Sequence, residues 1–358
     1  MLEHKKIGSG EIAWRSPSNI ALVKYWGKKP FQVPANPSLS MTLSRAYTEM
    51  TLEFKPDDEK CSNPLLEFLF EGRKQDVFEK KITLYLQSLC TEFPFLNEYK
   101  YKISSANTFP HSTGIASSAS SMSALGLCLA EFISRISGLS MSIQLASRLS
   151  RLASGSACRS VYGGYVIWGH VSQIAGTSNE YATPVPFKVN PVFRDMRDAI
   201  LVVSSKEKAV SSRAGHSLME RHPYAAPRYE MALTNMLDIA DSLKTGDLEK
   251  FVRITESEAL NLHALMMSSQ PFYLLFEPGT LNIVNAIRRF RKETNIPVCF
   301  TLDAGPNVHM LYPAVYETTI GNWIGEELLK FCENEQWIDD RVGSGPKKLE
   351  TRNRKPEK

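Results

Sequence analysis

Hydrophobic and polar positions alternate along the first part of the chain, and this alternation predicts strands. Every second residue from Met50 to Phe54 is apolar within the segment Thr48 to Phe54, and Glu11 to Val23 contains a similar β-prone stretch. A period of two is typical of strands with one buried face. We therefore expect an N-terminal antiparallel sheet, and a further short strand at Lys100 to Ser104.

The rest of the chain mixes helical segments with short apolar runs, and it contains no internal repeat. Helices are predicted near Asp76 to Glu92, Ala116 to Ser137, Met141 to Leu152, Tyr224 to Ser242, Leu248 to Met267, Thr280 to Lys292 and Tyr316 to Cys332. Strands are predicted at Tyr162 to His170, Ala199 to Val203, Val298 to Asp303 and Val308 to Tyr312. This order favours an α+β sandwich with helices on one face of an antiparallel sheet.

The two late strands are separated only by the segment Ala304 to Asn307, which requires a tight hairpin. Four residues leave no room for a crossover helix, so a doubly wound parallel fold is disfavoured. The proline-punctuated segment Pro184 to Pro191 is interpreted as a linker between two lobes. We thus expect an N-terminal lobe over 1–187, a C-terminal lobe over 188–340 and a basic flexible tail over 341–358.

Composition places the chain among enzyme-sized proteins with a large core. It has 358 residues, of which 43% are hydrophobic. No apolar run reaches the ~18 residues of a membrane span, and Met1 to Gly10 is polar, so we expect a cytoplasmic protein without membrane contact. The six cysteines show no zinc-type spacing and are interpreted as reduced thiols.

The net charge of +4 comes from the C-terminal end. Residues 341–358 carry seven basic and two acidic side chains, which leaves the body of the chain close to neutral. This tail has no aromatic residue on which a nucleic-acid base could stack. A nucleic-acid partner is therefore not expected.

A loop of small residues at Pro110 to Ala119 precedes an alanine- and serine-rich helix. Gly114 permits close approach of the backbone to an anion, and the first turn of the helix offers unpaired N–H groups. Two interpretations fit this loop, namely tight packing and phosphate binding. Since the chain has no G-x-x-x-x-G-K-[ST] stretch, a nucleotide bound here would not use a Walker-type loop.

Three further segments carry cations next to small or aromatic residues. Pro17 to Lys29 places lysines and the Tyr25-Trp26-Gly27 segment after an apolar strand, Ser154 to Ser160 surrounds Arg159 with small residues, and Val210 to Arg213 ends in a second arginine. An arginine fork suits a carboxylate or phosphate, whereas a lysine at a strand end is usually solvated. Two such arginine segments predict a substrate with several anionic groups.

Asp303 follows a buried strand and begins the turn Asp303 to Asn307. A buried carboxylate without a partner is costly, so it must meet a cation, backbone donors or a substrate hydroxyl. An aspartate before a Gly-Pro turn can also simply bond the N–H groups of that turn. Both interpretations remain open from the local sequence.

Five segments in order resemble the GHMP kinase superfamily and, within it, the diphosphomevalonate decarboxylases. The superfamily phosphate loop P-x-x-x-G-[LI]-x-S-S-A matches Pro110 to Ala119. The decarboxylase-type segments are Asn19 to Lys28, Ser154 to Ser160 with Tyr162 to Gly164, Val210 to Arg213, and Asp303 to Asn307. The resemblance implies a two-lobed GHMP kinase-like fold, with a ribosomal protein S5 domain 2-like N-terminal lobe and a ferredoxin-like C-terminal lobe. It also implies a homodimer.

The resemblance further implies an enzyme that uses ATP and Mg²⁺ to convert mevalonate 5-diphosphate to isopentenyl diphosphate, ADP, phosphate and CO₂ in isoprenoid biosynthesis. The 3-hydroxyl would be phosphorylated transiently, because a tertiary hydroxyl is a poor leaving group. The implied catalytic residues are Asp303, Lys24 and Arg159. The implied substrate-binding residues are Tyr25, Lys28, Ser154, Ser156, Arg159, Ser212 and Arg213. The implied ATP-binding residues are Asn107, Pro110, Ser112, Gly114, Ala116, Ser117 and Ser118, with Ser117 or Ser118 contacting Mg²⁺.

The chain departs from the common pattern of these relatives at Pro30, Thr108 and His111. Three other functions are open at this point: a decarboxylase of mevalonate 5-phosphate, a mevalonate 3-kinase-like enzyme, and an inactive nucleotide-binding regulator. If the chain were an inactive regulator, we would expect substitutions among the implied catalytic residues, and the sequence shows none.

Overall fold

A computed structural model describes residues 5–57, 64–109, 117–206 and 212–351. For Leu65, Leu66, Ser212 and Arg213 the description covers the backbone only. Within these ranges the chain forms an α+β fold with two sheets, and no helix is long and apolar enough to cross a membrane. Cysteines 90, 128, 158, 299 and 332 are all free.

The first sheet contains the predicted N-terminal strands and is largely antiparallel. The alternation read from the sequence is reproduced in β2, where Met50, Leu52 and Phe54 are buried and the residues between them are half-buried. Along the main path the strand order is β12-β1-β2-β5-β3-β4, and β6 extends the sheet from the first half of β2. The bounds are β1 Gly10–Val23, β2 Ser38–Pro56, β3 Leu65–Phe70, β4 Arg73–Lys74, β5 Tyr99–Asn107, β6 Tyr165–Trp168, β7 Thr183–Pro184 and β12 Lys347–Lys348.

Helices α1 Asp76–Leu89 and α2 Ser117–Ser137 pack on this sheet, and α3 Ile143–Ala153 packs on α2. Helix α2 is buried along most of its length, because its alanines, serines and Gly126 let it lie close to β1, β2 and α3. A Cβ on Gly126 would come within 2.8 Å of the backbone nitrogen of Ser150. The helix that follows the predicted phosphate loop is therefore fixed in the core of the first lobe.

The second sheet is antiparallel in the order β11-β8-β10-β9, so the predicted hairpin between the last two apolar strands is confirmed. Its strands are β8 Met196–Leu201, β9 Cys299–Thr301, β10 Val308–Pro313 and β11 Trp337–Arg341. The helices of this half are α4 Pro191–Arg194, α5 Ser212–Leu218, α6 Ala225–Thr245, α7 Leu248–Met267, α8 Pro278–Thr294 and α9 Glu317–Trp323.

Both faces of the second sheet are covered, which differs from the expected helices on one face. Leu201 and Met310 pack with α8 and α9, whereas Ile200 and Leu311 share a core with α6, α7 and strands of the first lobe. Strands β8 and β10 are buried at every position, as expected for a sheet without a solvated face. The two lobes consequently share part of their hydrophobic core.

The helical segment predicted at Tyr316 to Cys332 is confirmed, but its helical type changes along its length, since α9 ends at Trp323. A π-helical turn follows at Ile324–Leu328, and a 3₁₀ turn at Leu329–Phe331. Gly321 and Gly325 lie at this point and weaken a regular helix, which allows the change of helical type.

Residues 341–351, expected to belong to a flexible tail, are instead held against the first lobe. Lys348 lies opposite Trp14 in the β1–β12 pairing, and its Nζ is 2.7 Å from Glu131 Oε1. The Gly343 N–H donates to the Thr42 carbonyl oxygen at 2.7 Å. Backbone pairing and one ion pair thus attach the end of the C-terminal half to the N-terminal lobe.

Candidate active site

Lys24 and Asp303 meet where the two lobes join. Lys24 directly follows β1, and Asp303 follows β9 by two residues. The Lys24 Nζ lies 2.9 Å from Asp303 Oδ1, and the two side chains are 2% and 24% exposed. Asp303, whose carboxylate was expected to be buried and to need a partner, is half-buried and has a lysine beside it.

The environment of Lys24 opposes and supports its charge at the same time. Burial lowers the pKa of the Lys24 ammonium, and the carboxylates of Asp303 and Glu258 act against that shift. The positive charge of Arg159 lowers the Lys24 pKa further. A cation held in this way interacts strongly with negative charge that develops next to it, because water screens it little.

Arg159 is buried in a shell of neutral oxygen atoms. Its Nε donates to Ser40 Oγ at 3.0 Å and to Asn19 Oδ1 at 3.3 Å, and its Nη1 donates to Ser38 Oγ at 2.6 Å. Nη2 has no hydrogen-bond partner in the described part of the chain. Since all of these hydrogen-bond partners are neutral, Arg159 is suited to bind an anion.

Tyr25 lies against the segment that carries Ser154 and Ser156. A Cβ on Gly155 would approach the Tyr25 hydroxyl to 2.9 Å, so glycine is required for this contact. The Tyr25 ring packs on Trp168 with centroids 4.7 Å apart. Its hydroxyl is buried and has no hydrogen-bond partner among the described residues, and burial raises the pKa of the phenol. Tyr25 therefore remains a protonated donor.

His216 on α5 anchors that helix to the segment after β1. Its ring lies 4.3 Å from the Tyr25 ring and 4.6 Å from the Trp26 ring, between centroids. The Gly27 N–H donates to His216 Nδ1 at 3.0 Å, so the ring is neutral with its proton on Nε2. Burial, followed by the charges of Lys28 and Arg159, lowers the His216 pKa to about 3.

Helix α5 begins at Ser212, so this anchor brings the backbone of Ser212 and Arg213 to the neighbourhood of Tyr25 and Lys28. The side chains of Ser212 and Arg213 lie outside the described part of the structure. Their predicted contacts with a substrate remain predictions.

A series of buried hydroxyl and amide contacts joins α2 to Arg159. Ser123 on α2 bonds Ser16 on β1, and Ser16 donates to the Ser160 carbonyl oxygen at 3.2 Å. Asn19 donates to Ser160 Oγ at 2.7 Å and accepts from Arg159. The helix predicted to bind ATP and the arginine predicted to bind substrate therefore belong to one connected structure.

The predicted ATP-binding residues are described only in part. Ser117 and Ser118 form the first turn of α2, and Ser118 is exposed. The Asn107 Oδ1 accepts from Thr48 Oγ1, which bonds Ser120 on α2. Pro110, Ser112, Gly114 and Ala116 lie outside the described residues, as does His111.

Thr108, one of the departures from the family pattern, serves the backbone of β2. Its hydroxyl donates to the Arg45 carbonyl oxygen at 2.6 Å and accepts from the Tyr47 N–H at 3.0 Å. Pro30 lies in an exposed 3₁₀ turn, Pro30–Gln32. Thr108 thus has a structural explanation that the sequence did not reveal.

Several residues of the site were missed from the sequence. They are Asn19, Ser38 and Ser40 around Arg159, Trp168 and His216 around Tyr25, and Asn36, Arg228 and Glu258 around the Lys24 backbone. Glu258 offered a readable signal, because it is a charged residue at helical spacing with the buried Thr255, Ala259 and Leu262. The small polar residues offered none.

The described residues contain no group of three or more His, Cys, Asp or Glu side chains that could hold a metal ion. A divalent cation at this site would consequently depend on oxygen atoms of a bound phosphate, together with hydroxyl groups such as those at the start of α2.

Comparison with known proteins identifies the family. Residues 16–180 match the model of the diphosphomevalonate decarboxylase-like N-terminal domain, and residues 199–355 match that of the mevalonate 5-diphosphate decarboxylase C-terminal domain. Diphosphomevalonate decarboxylase of Debaryomyces hansenii is 30% identical over 321 residues, which cover 85% of this chain and 80% of that protein.

Two solved structures share the fold over almost the whole length. Mevalonate diphosphate decarboxylase of Staphylococcus aureus is 28% identical with a TM-score of 0.81, covering 96% of this chain and 98% of that one. A protein described as MDDEF in complex with MVAPP, AMPPCP and magnesium is 29% identical with a TM-score of 0.81, covering 96% and 100%. The two-lobed fold predicted from the motifs is confirmed, and the chain belongs to the diphosphomevalonate decarboxylase family.

Proposed function

We propose that this protein catalyses the ATP-dependent decarboxylation of mevalonate 5-diphosphate to isopentenyl diphosphate. The observation that carries the proposal is the Lys24–Asp303 contact of 2.9 Å at the junction of the lobes, beside the buried Arg159. A carboxylate that can hold a hydroxyl and two cations that can bind anions are the groups that this reaction requires. Family membership supplies the substrate class.

The proposed binding roles follow from the charges and the hydrogen-bond donors of the side chains at the site. Arg159 binds the substrate carboxylate or a nearby phosphate oxygen with Nη2, and the buried Tyr25 hydroxyl donates to a substrate oxygen. Lys28, Ser154, Ser156, Ser212 and Arg213 line the diphosphate side. Because the substrate is anionic at both ends, cations on two sides of Asp303 fix the position of its 3-hydroxyl.

The chemistry proceeds in two balanced stages. The 3-hydroxyl oxygen attacks the γ-phosphorus of ATP, the bond from that phosphorus to ADP breaks, and the hydroxyl proton passes to Asp303 or to water. The C3–O bond then breaks and inorganic phosphate leaves with its electron pair. The C–C bond to the carboxylate breaks to release CO₂, and its electrons form the alkene. Lys24 stabilises the negative charge on the transferred and departing phosphate.

ATP fits the first turn of α2, where Ser117 and Ser118 lie directly after the predicted phosphate loop. Mg²⁺ neutralises phosphate charge when it is bound with the nucleotide. The hydroxyls of Ser117 or Ser118 are hard oxygen ligands of the kind that this ion accepts. The similar structure with AMPPCP and magnesium supports the same cofactors in this chain.

We also propose a cytoplasmic homodimer whose chain divides near residue 187, in the connection that precedes α4. The two family models support this division, because the first ends at residue 180 and the second begins at 199.

Incubation of the purified protein with ATP and Mg²⁺ and, in turn, mevalonate, its 5-phosphate and its 5-diphosphate tests the function. We expect ADP and CO₂ in equal amounts, and fastest with the 5-diphosphate. Faster turnover of the 5-phosphate would reassign the substrate. ADP without CO₂ would indicate a 3-kinase, and neither product would indicate a regulator.

A further inference from the structure

The backbone of Lys24 is held by side chains from three other segments. Its N–H donates to Glu258 Oε2 on α7 at 2.8 Å. Its carbonyl oxygen accepts from Arg228 Nη2 on α6 at 3.1 Å and from Asn36 Nδ2 at 2.9 Å. Side chains thus fix both backbone polar groups of Lys24, where the chain leaves β1 and no longer has ladder partners.

Glu258 is fully buried, and donors surround its carboxylate. Arg228 donates to Oε1 at 2.8 Å and to Oε2 at 2.6 Å, and Asn235 Nδ2 donates to Oε1 at 2.6 Å. With the Lys24 N–H, this makes four hydrogen bonds to one carboxylate. A bidentate pair with complete hydrogen bonding gives a fixed direction as well as attraction, so Glu258 is a rigid attachment point.

Helix α7 contacts both members of the Lys24–Asp303 pair. Glu258 holds the Lys24 backbone, and His263, five residues later on the same helix, donates from Nε2 to the Asp303 carbonyl oxygen at 3.0 Å. His263 is itself fixed by stacking on Phe276, with ring centroids 4.4 Å apart. One helix therefore sets the distance between a residue of the first lobe and a residue of the second.

We propose that Glu258, together with its partner Arg228, is a positioning residue that holds Lys24 against Asp303 for the reaction proposed above. The Glu258 carboxylate acts on Lys24 in two ways. It fixes the Lys24 backbone N–H, and its negative charge favours the protonated form of the Lys24 amine.

The second effect gives a pH signature. The charged groups that act on Lys24 are Asp303 after β9, Glu258 on α7 and Arg159 after α3, while Asp198 on β8, bonded to His309, is influenced by Lys24 in turn. Removing the Glu258 charge leaves burial and Arg159 less opposed, so the Lys24 pKa falls further. Activity that needs the ammonium is then lost at a lower pH.

The test compares Glu258→Gln with Glu256→Gln. Glu256 is two residues away on α7 and also forms a bidentate pair, with Arg291 at 2.6 and 2.9 Å, but it has no contact with Lys24. We expect Glu258→Gln to lower kcat about 10- to 100-fold, as other supporting residues around a reacting group do, with a nearly unchanged KM. The alkaline limb of its pH–activity profile should move to lower pH by about one unit. Glu256→Gln should keep the alkaline limb of the wild-type profile.

A double variant, Glu258→Gln with Arg228→Met, guards against misfolding, because it leaves no buried charge without a partner. It should show the same fall in kcat but a smaller shift of the alkaline limb, because the positive charge of Arg228 is removed together with the negative charge of Glu258. Wild-type kcat with an unshifted limb in Glu258→Gln, or wild-type kcat in the double variant, would overturn the proposal.

Crystal structures of the wild type and the variants separate this proposal from the proposed function. We expect the Lys24 Nζ to Asp303 Oδ1 distance to exceed hydrogen-bond range in Glu258→Gln, with the lobes otherwise unchanged. An unchanged 2.9 Å contact would refute positioning whatever the activity. A wild type without turnover of any of the three substrates would refute only the proposed function.

Discussion

Lys24 contacts two acidic residues: its side chain pairs with Asp303, and its backbone is held by the Arg228–Glu258 pair. The two ion pairs differ in how completely they are enclosed. The Arg228–Glu258 pair is 2% and 0% exposed, and four hydrogen bonds surround its carboxylate. In the Lys24–Asp303 pair the carboxylate is 24% exposed. The enclosed pair can fix geometry but cannot receive a ligand, whereas Asp303 can still receive a substrate hydroxyl. Two similar ion pairs thus differ in access, since one is closed to a ligand and the other is open to it.

Asp303→Asn should have the largest effect on turnover. The amide keeps the size of the side chain but removes the charge that pairs with Lys24 and that, in the proposed mechanism, holds the 3-hydroxyl. We expect kcat to fall about 10³-fold while substrate affinity, measured by calorimetry, changes little. Asp241→Asn, which breaks an exposed pair with Lys250, is the control. Near-normal turnover in Asp303→Asn would remove Asp303 from the mechanism.

Lys24→Met should lower kcat about 10²- to 10³-fold, because it removes the buried cation that the proposed mechanism places next to the transferred phosphate. The wild-type pH profile provides a second test. Since burial lowers the Lys24 pKa, wild-type activity should decline on the alkaline side at a lower pH than an exposed lysine would give. The methionine variant should lack this decline, and Lys250→Met should retain it. An identical limb in Lys24→Met would assign the titration to another group.

Arg159→Lys should chiefly weaken substrate binding. Lysine keeps the charge, but it cannot bond Ser38 and Ser40 with one planar group and still direct a further N–H at an anion. We expect kcat/KM for mevalonate 5-diphosphate to fall about 10- to 100-fold, mainly through KM. A change confined to kcat would place Arg159 at the reacting centre rather than at the substrate anion.

The smallest expected effect concerns His216, which should make the stability of the fold depend on pH. The folded state lowers its pKa to about 3, so the unfolded chain binds the extra proton first as pH falls. Stability from this site is complete above an ordinary histidine pKa of about 6.5 and is lost toward pH 3. The loss by pH 5 is about 2 kcal/mol.

Urea unfolding at pH 7 and pH 5 measures this loss. His216→Phe should be less stable at pH 7, since the Gly27 N–H loses its acceptor, but its stability should depend less on pH. The same substitution at the exposed His170 is the control and should leave the pH dependence unchanged. Equal pH dependence in all three proteins would contradict the assignment of a neutral, buried His216.

The residues that we propose to react could be selected from the sequence because their signals are local. Lys24 and Asp303 each follow an apolar strand, and Arg159 stands among small residues. The strand positions followed from alternation, as in Met50 to Phe54, which the structure reproduces. The helical segment predicted at Tyr316 to Cys332 is present, but the apolar period continued through Gly321 and Gly325 and did not reveal the change of helical type.

The supporting residues were not predicted, because their contacts span long stretches of chain. Glu258 is 234 positions from Lys24, and Arg228 is 204 positions from it. Each lies within an ordinary amphipathic helix, and only the packing of α6 and α7 against the end of β1 brings them together. The prediction of a flexible tail failed over residues 341–351 for the same reason, since the pairing of β12 with β1 joins opposite ends of the chain.

A single-turnover experiment tests the central claim most directly. Wild-type protein in excess is mixed with ATP, Mg²⁺ and mevalonate 5-diphosphate labelled at its carboxylate, and ADP and CO₂ are quantified over time beside Asp303→Asn. We predict one CO₂ for each ADP in the wild type, and neither product at a comparable rate in the variant. ADP without CO₂, or equal rates in both proteins, would contradict decarboxylation at the Lys24–Asp303 pair.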